Sequence, residues 1–122
     1  MIAVVAAALL PGAFAATASA ASPAAAAPKL GGCAAGQLCL WKQGEFGSSP
    51  LTYELSEIDI ESCVPLPRGV TAESLANRTG RPVTTYQSAE CAETGEFDTY
   101  PGGGTWVPRS PYQVRAFKVW ES

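Results

Sequence analysis

Four cysteines constrain the fold of this 122-residue chain more than any other feature. Cys33, Cys39, Cys63 and Cys91 are even in number and follow an apolar leader, which is typical of a disulfide framework in a secreted protein. Of the three possible pairings, we favour Cys33 with Cys39 across a short turn containing Gly36, and Cys63 with Cys91 across the middle of the domain. A zinc site is the rival interpretation, but zinc ligands usually pair at closer and more regular spacing.

The first 32 residues differ from the rest of the chain, because Lys29 is their only charged residue. An apolar run, a Pro-Gly break and the small residues Ala18-Ser19-Ala20 predict a signal peptide over residues 1–20. Residues 21–32 read as an Ala/Pro-rich linker, and residues 33–122 as one domain. The apolar run is shorter than the roughly 20 residues that span a bilayer. We therefore expect a secreted, extracellular protein with no membrane association after cleavage, although a disordered or helical alanine-rich tail is an alternative.

The chain contains no histidine. This excludes a Ser-His-Asp triad, a Cys-His pair and an HExxH metal site. Acidic residues outnumber basic ones by 11 to 8, which disfavours nucleic acid as a partner. Two acidic clusters do not reproduce an EF-hand loop and are interpreted as solvated surface charge. We predict a protein that is not an enzyme and that binds neither a cofactor nor a metal. The clusters are Glu54, Glu57, Asp59 and Glu61, and Glu90, Glu93, Glu96 and Asp98.

Short apolar or alternating segments separated by turn residues recur every eight to twelve positions. This pattern predicts an all-β sandwich of short antiparallel strands. Residues 56–63 could form either a short helical turn or a further strand. The predicted strands cover residues 37–41, 51–55, 72–77, 82–87 and 112–120.

Three of these segments carry a recognisable pattern. Cys33-x5-Cys39-Leu40-Trp41-x4-Phe46-Gly47, the run from Ser74 through Asn77 to Gly80, and the strand from Val83 to Tyr86 resemble the actinobacterial βγ-crystallin-like peptidase inhibitors. The resemblance implies a disulfide-stabilised Greek-key sandwich, with Trp41 packing over a hairpin that holds Phe46. It also implies secretion, and founding members of the family inhibit extracellular proteases. Residues 33–92 carry most of the resemblance.

The hairpin departs from the crystallin pattern at one place. Gly47 stands one position before the usual glycine, and Ser48 occupies that position. The crystallin calcium motif of paired Asn or Asp residues is not seen before Glu73-Ser74. We therefore expect no calcium at that site.

Two segments could serve as an inhibitory loop. Cys63 to Arg68 is tethered by its cysteine, stiffened by two prolines, and carries the apolar residues Val64 and Leu66. A rigid loop of this kind lowers the ordering cost of binding and would suit a metallopeptidase pocket for an apolar residue. The alternative is an ordinary Pro-rich connection between strands without a binding role.

The second candidate segment runs from Tyr100 to Pro108 and combines three glycines with Trp106. Here Tyr100 and Trp106 are the candidate binding residues. The alternative is a mobile loop whose tryptophan folds onto the core.

The leading functional hypothesis is a small monomeric binding protein that inhibits an extracellular peptidase, of metallo or serine type, by loop insertion. One alternative is a cell-envelope or polysaccharide-binding module that uses exposed Tyr100, Trp106 and Tyr112. A third is a crystallin-like antimicrobial protein that acts on a competitor's cell wall.

Overall fold

The computed structural model describes residues 30–122, so the predicted signal peptide and most of the predicted linker lie outside the described residues. The described chain contains short β-strands and one 3-10 turn, Leu55–Glu57. The strands are β1 Gln37–Trp41, β2 Leu51–Glu54, β3 Val64–Pro65, β4 Ser74–Asn77, β5 Val83–Tyr86, β6 Phe97–Tyr100, β7 Thr105–Val107 and β8 Ala116–Val119.

Two four-stranded antiparallel sheets make up the fold. The first has the order β2-β1-β4-β7, and the second has the order β3-β8-β5-β6. The strands fall into two halves, β1–β4 and β5–β8, and the third strand of each half joins the sheet of the other half. This exchange relates the two halves by an approximate two-fold symmetry and gives the predicted Greek-key sandwich, so the all-β prediction is confirmed.

Side-chain alternation along the strands separates a main core from a second apolar cluster. In β1, Leu38 and Leu40 belong to the main core, whereas Cys39 and Trp41 belong to a smaller cluster with Ala76. Because successive strand residues point to opposite faces, the two sets lie on opposite faces of the first sheet. The buried members of the main core are Leu38, Leu40, Leu66, Ala72, Leu75, Val83, Tyr112, Val114, Phe117 and Val119.

All five predicted strands coincide with observed ones, and the short helical turn predicted as one option for 56–63 begins at Leu55. The sequence interpretation missed β3, β6 and β7. The first and last of these are two or three residues long and lie beside prolines or glycines, while β6 has three exposed residues out of four. Their sequences lack alternation, and pairing with distant strands is what makes them extended.

The described chain begins at Leu30, within the predicted linker. Gly31 lies so close to the Trp41 ring and to Cβ of Phe46 that a side chain at this position would collide with both. The packed part of the chain therefore includes at least this residue of the linker.

Candidate functional site

Both favoured disulfides are present. Cys33 bonds to Cys39, and Cys63 bonds to Cys91. The first closes a small loop beside the Trp41 cluster. The second joins the segment before β3 to the hairpin between β5 and β6, and so holds the first candidate inhibitory segment at its amino-terminal end.

The segment that follows Cys63 is a strand at the edge of the second sheet. Val64 lies opposite Phe117 and Pro65 lies opposite Ala116. Val64 is half-buried against the core, and Pro65 is exposed. Because β3 is the outermost strand, one side of its backbone faces no other strand of the sheet. This is the kind of strand that can extend into a cleft built for extended polypeptide.

Leu66 does not lie where the sequence interpretation placed it. Its side chain is only 6% exposed and is part of the core, and its N–H donates to the carbonyl of Arg115 at 2.8 Å. Leu66 is not exposed although a proline stands on each side of it, because strand pairing directs its side chain into the core. Leu66 therefore anchors the segment and is not presented to a partner.

A tight turn follows this anchor. The N–H of Val70 donates to the carbonyl of Pro67 at 2.9 Å, and Gly69 has a φ of 79°. The turn is of type II, because φ is positive at its third residue, Gly69, and not at its second residue, Arg68. Arg68 is exposed at its tip. A shallow groove of about 330 Å³ runs beside the turn and is bordered by Ala89.

The second candidate segment is also better ordered than its glycines suggest. Trp106 lies in β7, and its half-buried ring meets the Phe46 ring edge to face, with 5.8 Å between centroids. Tyr100 ends β6 and is half-buried. Gly102 presses on the backbone of Gly80 and Arg81 so closely that no side chain would fit. The segment is therefore not a free loop.

Asn77 connects this segment to the first sheet. It is fully buried, and its amide nitrogen lies within 3.2 Å of the carbonyl oxygens of Arg81, Tyr100 and Pro101, to which it donates. Its side-chain oxygen accepts hydrogen bonds from the N–H and hydroxyl of Thr79. Asn77 therefore has a structural role, because its hydrogen bonds join this segment to the first sheet. Its full burial prevents contact with a partner.

Tyr112 is a buried core residue and not a surface aromatic. It is 9% exposed, and its hydroxyl donates to the carbonyl of Thr85 at 2.9 Å. Burial raises the pKa of this phenol well above its usual value, and the hydrogen bond with Thr85 opposes that shift. The expectation of an exposed side chain is therefore wrong for Tyr112, whereas Tyr100 and Trp106 are half-buried and keep part of their surface exposed.

The aromatic corner forms where the resemblance placed it. Trp41 is 2% exposed, and its ring meets that of Phe46 edge to face at 5.1 Å. The buried hydroxyl of Ser74 donates to the carbonyl of Gln43 at 2.6 Å and accepts from the N–H of Phe46 at 3.0 Å. Ser74 thereby fixes the hairpin that holds Phe46.

The shift of the hairpin glycine from position 48 to position 47 affects the backbone conformation of the hairpin. Ser48 adopts a left-handed φ of 67°, a conformation that glycine adopts more readily. Gly47 instead lies against the side chain of Gln43, where a Cβ atom would crowd it. The hairpin therefore accommodates serine at the usual glycine position at some cost in backbone strain.

The approximate two-fold symmetry pairs this corner with the second disulfide, a relation that the sequence interpretation missed. Phe46 follows the last residue of β1, Trp41, by five positions, and Cys91 follows the last residue of β5, Tyr86, by the same number. Both have left-handed backbones, with φ of 59° and 58°. Cys91 therefore occupies the place of the corner aromatic in the second half.

The partners of these two residues are equivalent as well. Trp106 precedes Val107, which lies opposite Leu75, and Cys63 precedes Val64, which lies opposite Phe117. The Phe46–Trp106 contact in one half thus corresponds to the Cys63–Cys91 bond in the other. Each contact fastens a hairpin of one half to the exchanged strand of the other half.

Among residues 30–122, no group of three or more His, Cys, Asp or Glu side chains is placed to hold a metal ion. Arg109 and Glu45 form an exposed ion pair at 3.2 Å. Within the same part of the chain, no helix has the length and apolar character required to cross a membrane. The two sheets have four edge strands, β2 and β7 in the first and β3 and β6 in the second.

Comparison with known proteins agrees with this geometry. A family model described as "Peptidase inhibitor family I36" matches residues 25–99, which is more than half of the chain. The chain belongs to this family. Membership supports a peptidase-inhibitor role and points to a protein that does not catalyse a reaction. The matched region contains the Cys63–Arg68 segment, both disulfides and the aromatic corner.

A solved structure shares the fold of this family member. The βγ-crystallin domain of Abundant Perithecial Protein from Neurospora crassa, in its Ca²⁺-bound form, superposes with a TM-score of 0.54 at 18% sequence identity. The match covers 77% of this chain and 94% of that domain. No curated protein matches the chain. The likeness establishes the βγ-crystallin fold.

Proposed function

We propose that this chain is a secreted inhibitor of an extracellular peptidase, and that it offers residues Cys63–Pro65 to the active-site cleft. The observation that carries the proposal is the family match, whose residues include the edge strand β3 beside the Cys63–Cys91 disulfide. Peptidases bind polypeptide in extended form, and an edge strand can supply main-chain hydrogen bonds to such a cleft. Val64 would give a metallopeptidase pocket an apolar side chain.

Rigidity on both sides of Val64 supports inhibition in preference to cleavage. Cys63 is bonded to Cys91, Pro65 lies opposite Ala116, and Leu66 is buried in the core. A segment held in this way loses little conformational entropy on binding. Should the chain be cut here, both ends would remain fastened to the domain, so the pieces would leave the cleft slowly.

The test is a titration of the full domain against a thermolysin-like metallopeptidase and a subtilisin-like serine peptidase. We expect one-to-one inhibition of the metallopeptidase. Val64→Ala should weaken that inhibition at least about tenfold, which corresponds to about 1.4 kcal/mol of binding free energy. Leu51→Ala is the control, because Leu51 is also a half-buried residue on an edge strand but belongs to β2.

Two results would contradict the proposal. One is an absence of inhibition of both peptidases at micromolar concentration. The other is equal weakening by Val64→Ala and Leu51→Ala, which would mean that stability and not the β3 edge governs the effect. Circular dichroism at the assay temperature shows whether each variant is folded.

A further inference from the structure

The chain contains a second segment with the architecture of Cys63–Pro65. Residues Trp106-Val107-Pro108 repeat the Val-Pro pair of Val64-Pro65. β7 lies at the edge of the first sheet, as β3 lies at the edge of the second. Their valines lie opposite core residues at equivalent positions of β4 and β8.

The two segments also match in exposure. Cys63 and Trp106 are half-buried, the two valines are half-buried, and Pro65 and Pro108 are exposed. In each segment one side of the strand backbone faces no other strand of its sheet. The features that make the β3 edge suitable for an extended cleft are therefore present at the β7 edge.

The β7 segment is held at both ends without a disulfide. The hydroxyl of Thr105 donates to the carbonyl of Pro101 at 2.8 Å, and the carbonyl of Pro108 accepts from the N–H of Glu45 at 2.7 Å. Arg109, the next residue, forms the ion pair with the same glutamate. An extended segment fixed in this way has little ordering entropy left to lose on binding.

The residue before the valine differs between the two edges. At β3 it is a cysteine whose sulfur is bonded, so it offers no large side chain. At β7 it is Trp106, which is half-buried on the outer face of the first sheet against Phe46. A large aromatic side chain suits the hydrophobic slot that chymotrypsin-type peptidases use for specificity.

We propose that Trp106–Pro108 is a second peptidase-binding edge, selective for peptidases whose pocket takes a large aromatic residue. The proposal rests on the inhibitor function assigned above, but it uses a different strand, a different sheet and a different enzyme class. The chain would then present two edges with separate specificities, related by the two-fold symmetry of the fold.

The test exchanges the specificity of the second edge. The unaltered domain should inhibit chymotrypsin, and Trp106→Phe, which also supplies a large aromatic side chain for the pocket, should retain most of that inhibition. Trp106→Arg should weaken chymotrypsin inhibition roughly 30-fold, the loss of an aromatic anchor worth about 2 kcal/mol. The same variant should gain inhibition of trypsin, whose pocket ends in an aspartate. Loss of stability cannot produce this gain.

Inhibition of the metallopeptidase separates the two proposals. It should be unchanged in Trp106→Arg, and Val64→Ala should leave chymotrypsin inhibition unchanged. The second edge would be overturned if the unaltered domain failed to inhibit chymotrypsin. It would also be overturned if Trp106→Arg still inhibited chymotrypsin and gained no inhibition of trypsin. Either result would leave the first edge intact. If the domain inhibited chymotrypsin but not the metallopeptidase, the first edge would be overturned and the second would be supported.

Discussion

Contacts with residues distant in sequence determine whether individual side chains in this domain are buried or exposed. Tyr112 and Leu66 each stand beside a proline in a segment rich in turn residues, which suggests exposure. Both are nevertheless in the main core. Their burial depends on strands that are distant in sequence, since Tyr112 reaches Thr85 and Leu66 hydrogen-bonds to Arg115.

The buried phenol of Tyr112 should make the domain sensitive to alkali. Burial raises its pKa in the folded state above the ordinary value of 10.0. The folded state therefore holds its proton more tightly, so the stabilisation is complete below pH 10 and is lost as the pH rises beyond it. We expect the free energy of unfolding to be flat from pH 7 to pH 9 and to fall above pH 10.

Urea unfolding of Tyr112→Phe across this range is the measurement. The fall above pH 10 should be shallower in the variant, although Tyr53, Tyr86 and Tyr100 also have raised pKa values and still contribute. At pH 7 the variant should lose about 1 kcal/mol, the value of one hydrogen bond. The same alkaline slope in both proteins would show that Tyr112 ionises without unfolding cost.

At the scale of elements, the two hairpins of the domain are fixed by different chemistry. In the first, Ser74 in β4 binds the hairpin through two hydrogen bonds. The position that corresponds in β8 is Ala116, because Glu73 and Arg115 donate in the same way to the carbonyls of Trp41 and Tyr86. Alanine has no hydroxyl, and the second hairpin is instead fastened by its disulfide.

Removal of the Ser74 hydroxyl should therefore destabilise the domain more than an ordinary serine substitution. Ser74→Ala leaves the N–H of Phe46 and the carbonyl of Gln43 without their partner. We expect a loss of about 2 kcal/mol in the free energy of unfolding. Ser62→Ala is the matched control at an exposed position, with an expected change within roughly 0.5 kcal/mol. Equal denaturant midpoints for the two variants would contradict this role of Ser74.

Across the whole molecule, the two disulfides make unequal contributions. They span sequence separations of 6 and 28 residues. In the chain-entropy model, the longer loop restricts the unfolded chain more, with stabilisation of about 3.6 kcal/mol for the longer and about 2.4 kcal/mol for the shorter. A domain of this size has a small core and needs such crosslinks.

Replacing each cysteine pair by alanine should reproduce this order. The variant without Cys63–Cys91 should have the lower free energy of unfolding in urea at pH 7. The variant without Cys33–Cys39 should remain folded, with the fluorescence of the three tryptophans as the probe. A greater loss from the shorter loop would mean that packing beside Trp41, and not chain entropy, governs the contribution of that disulfide.

The sequence by itself determined the features that depend on near neighbours. Short apolar or alternating segments identified the four central strands and the edge strand β2, and the family resemblance implied the aromatic corner of Trp41 and Phe46. Cysteine spacing favoured the observed disulfides. These signals are local because a strand, a hairpin or a small crosslinked loop is specified within a few residues.

Only the tertiary structure decided which segments form the sheet edges. β3 and β7 are too short, and too close to proline and glycine, for their own residues to specify a strand, and each becomes extended by pairing with the opposite half. That exchange also placed Leu66 inside and made Cys63–Cys91 the counterpart of Phe46–Trp106. The physical reason is that edge position, burial and symmetry arise from hydrogen bonds and contacts between residues dozens of positions apart.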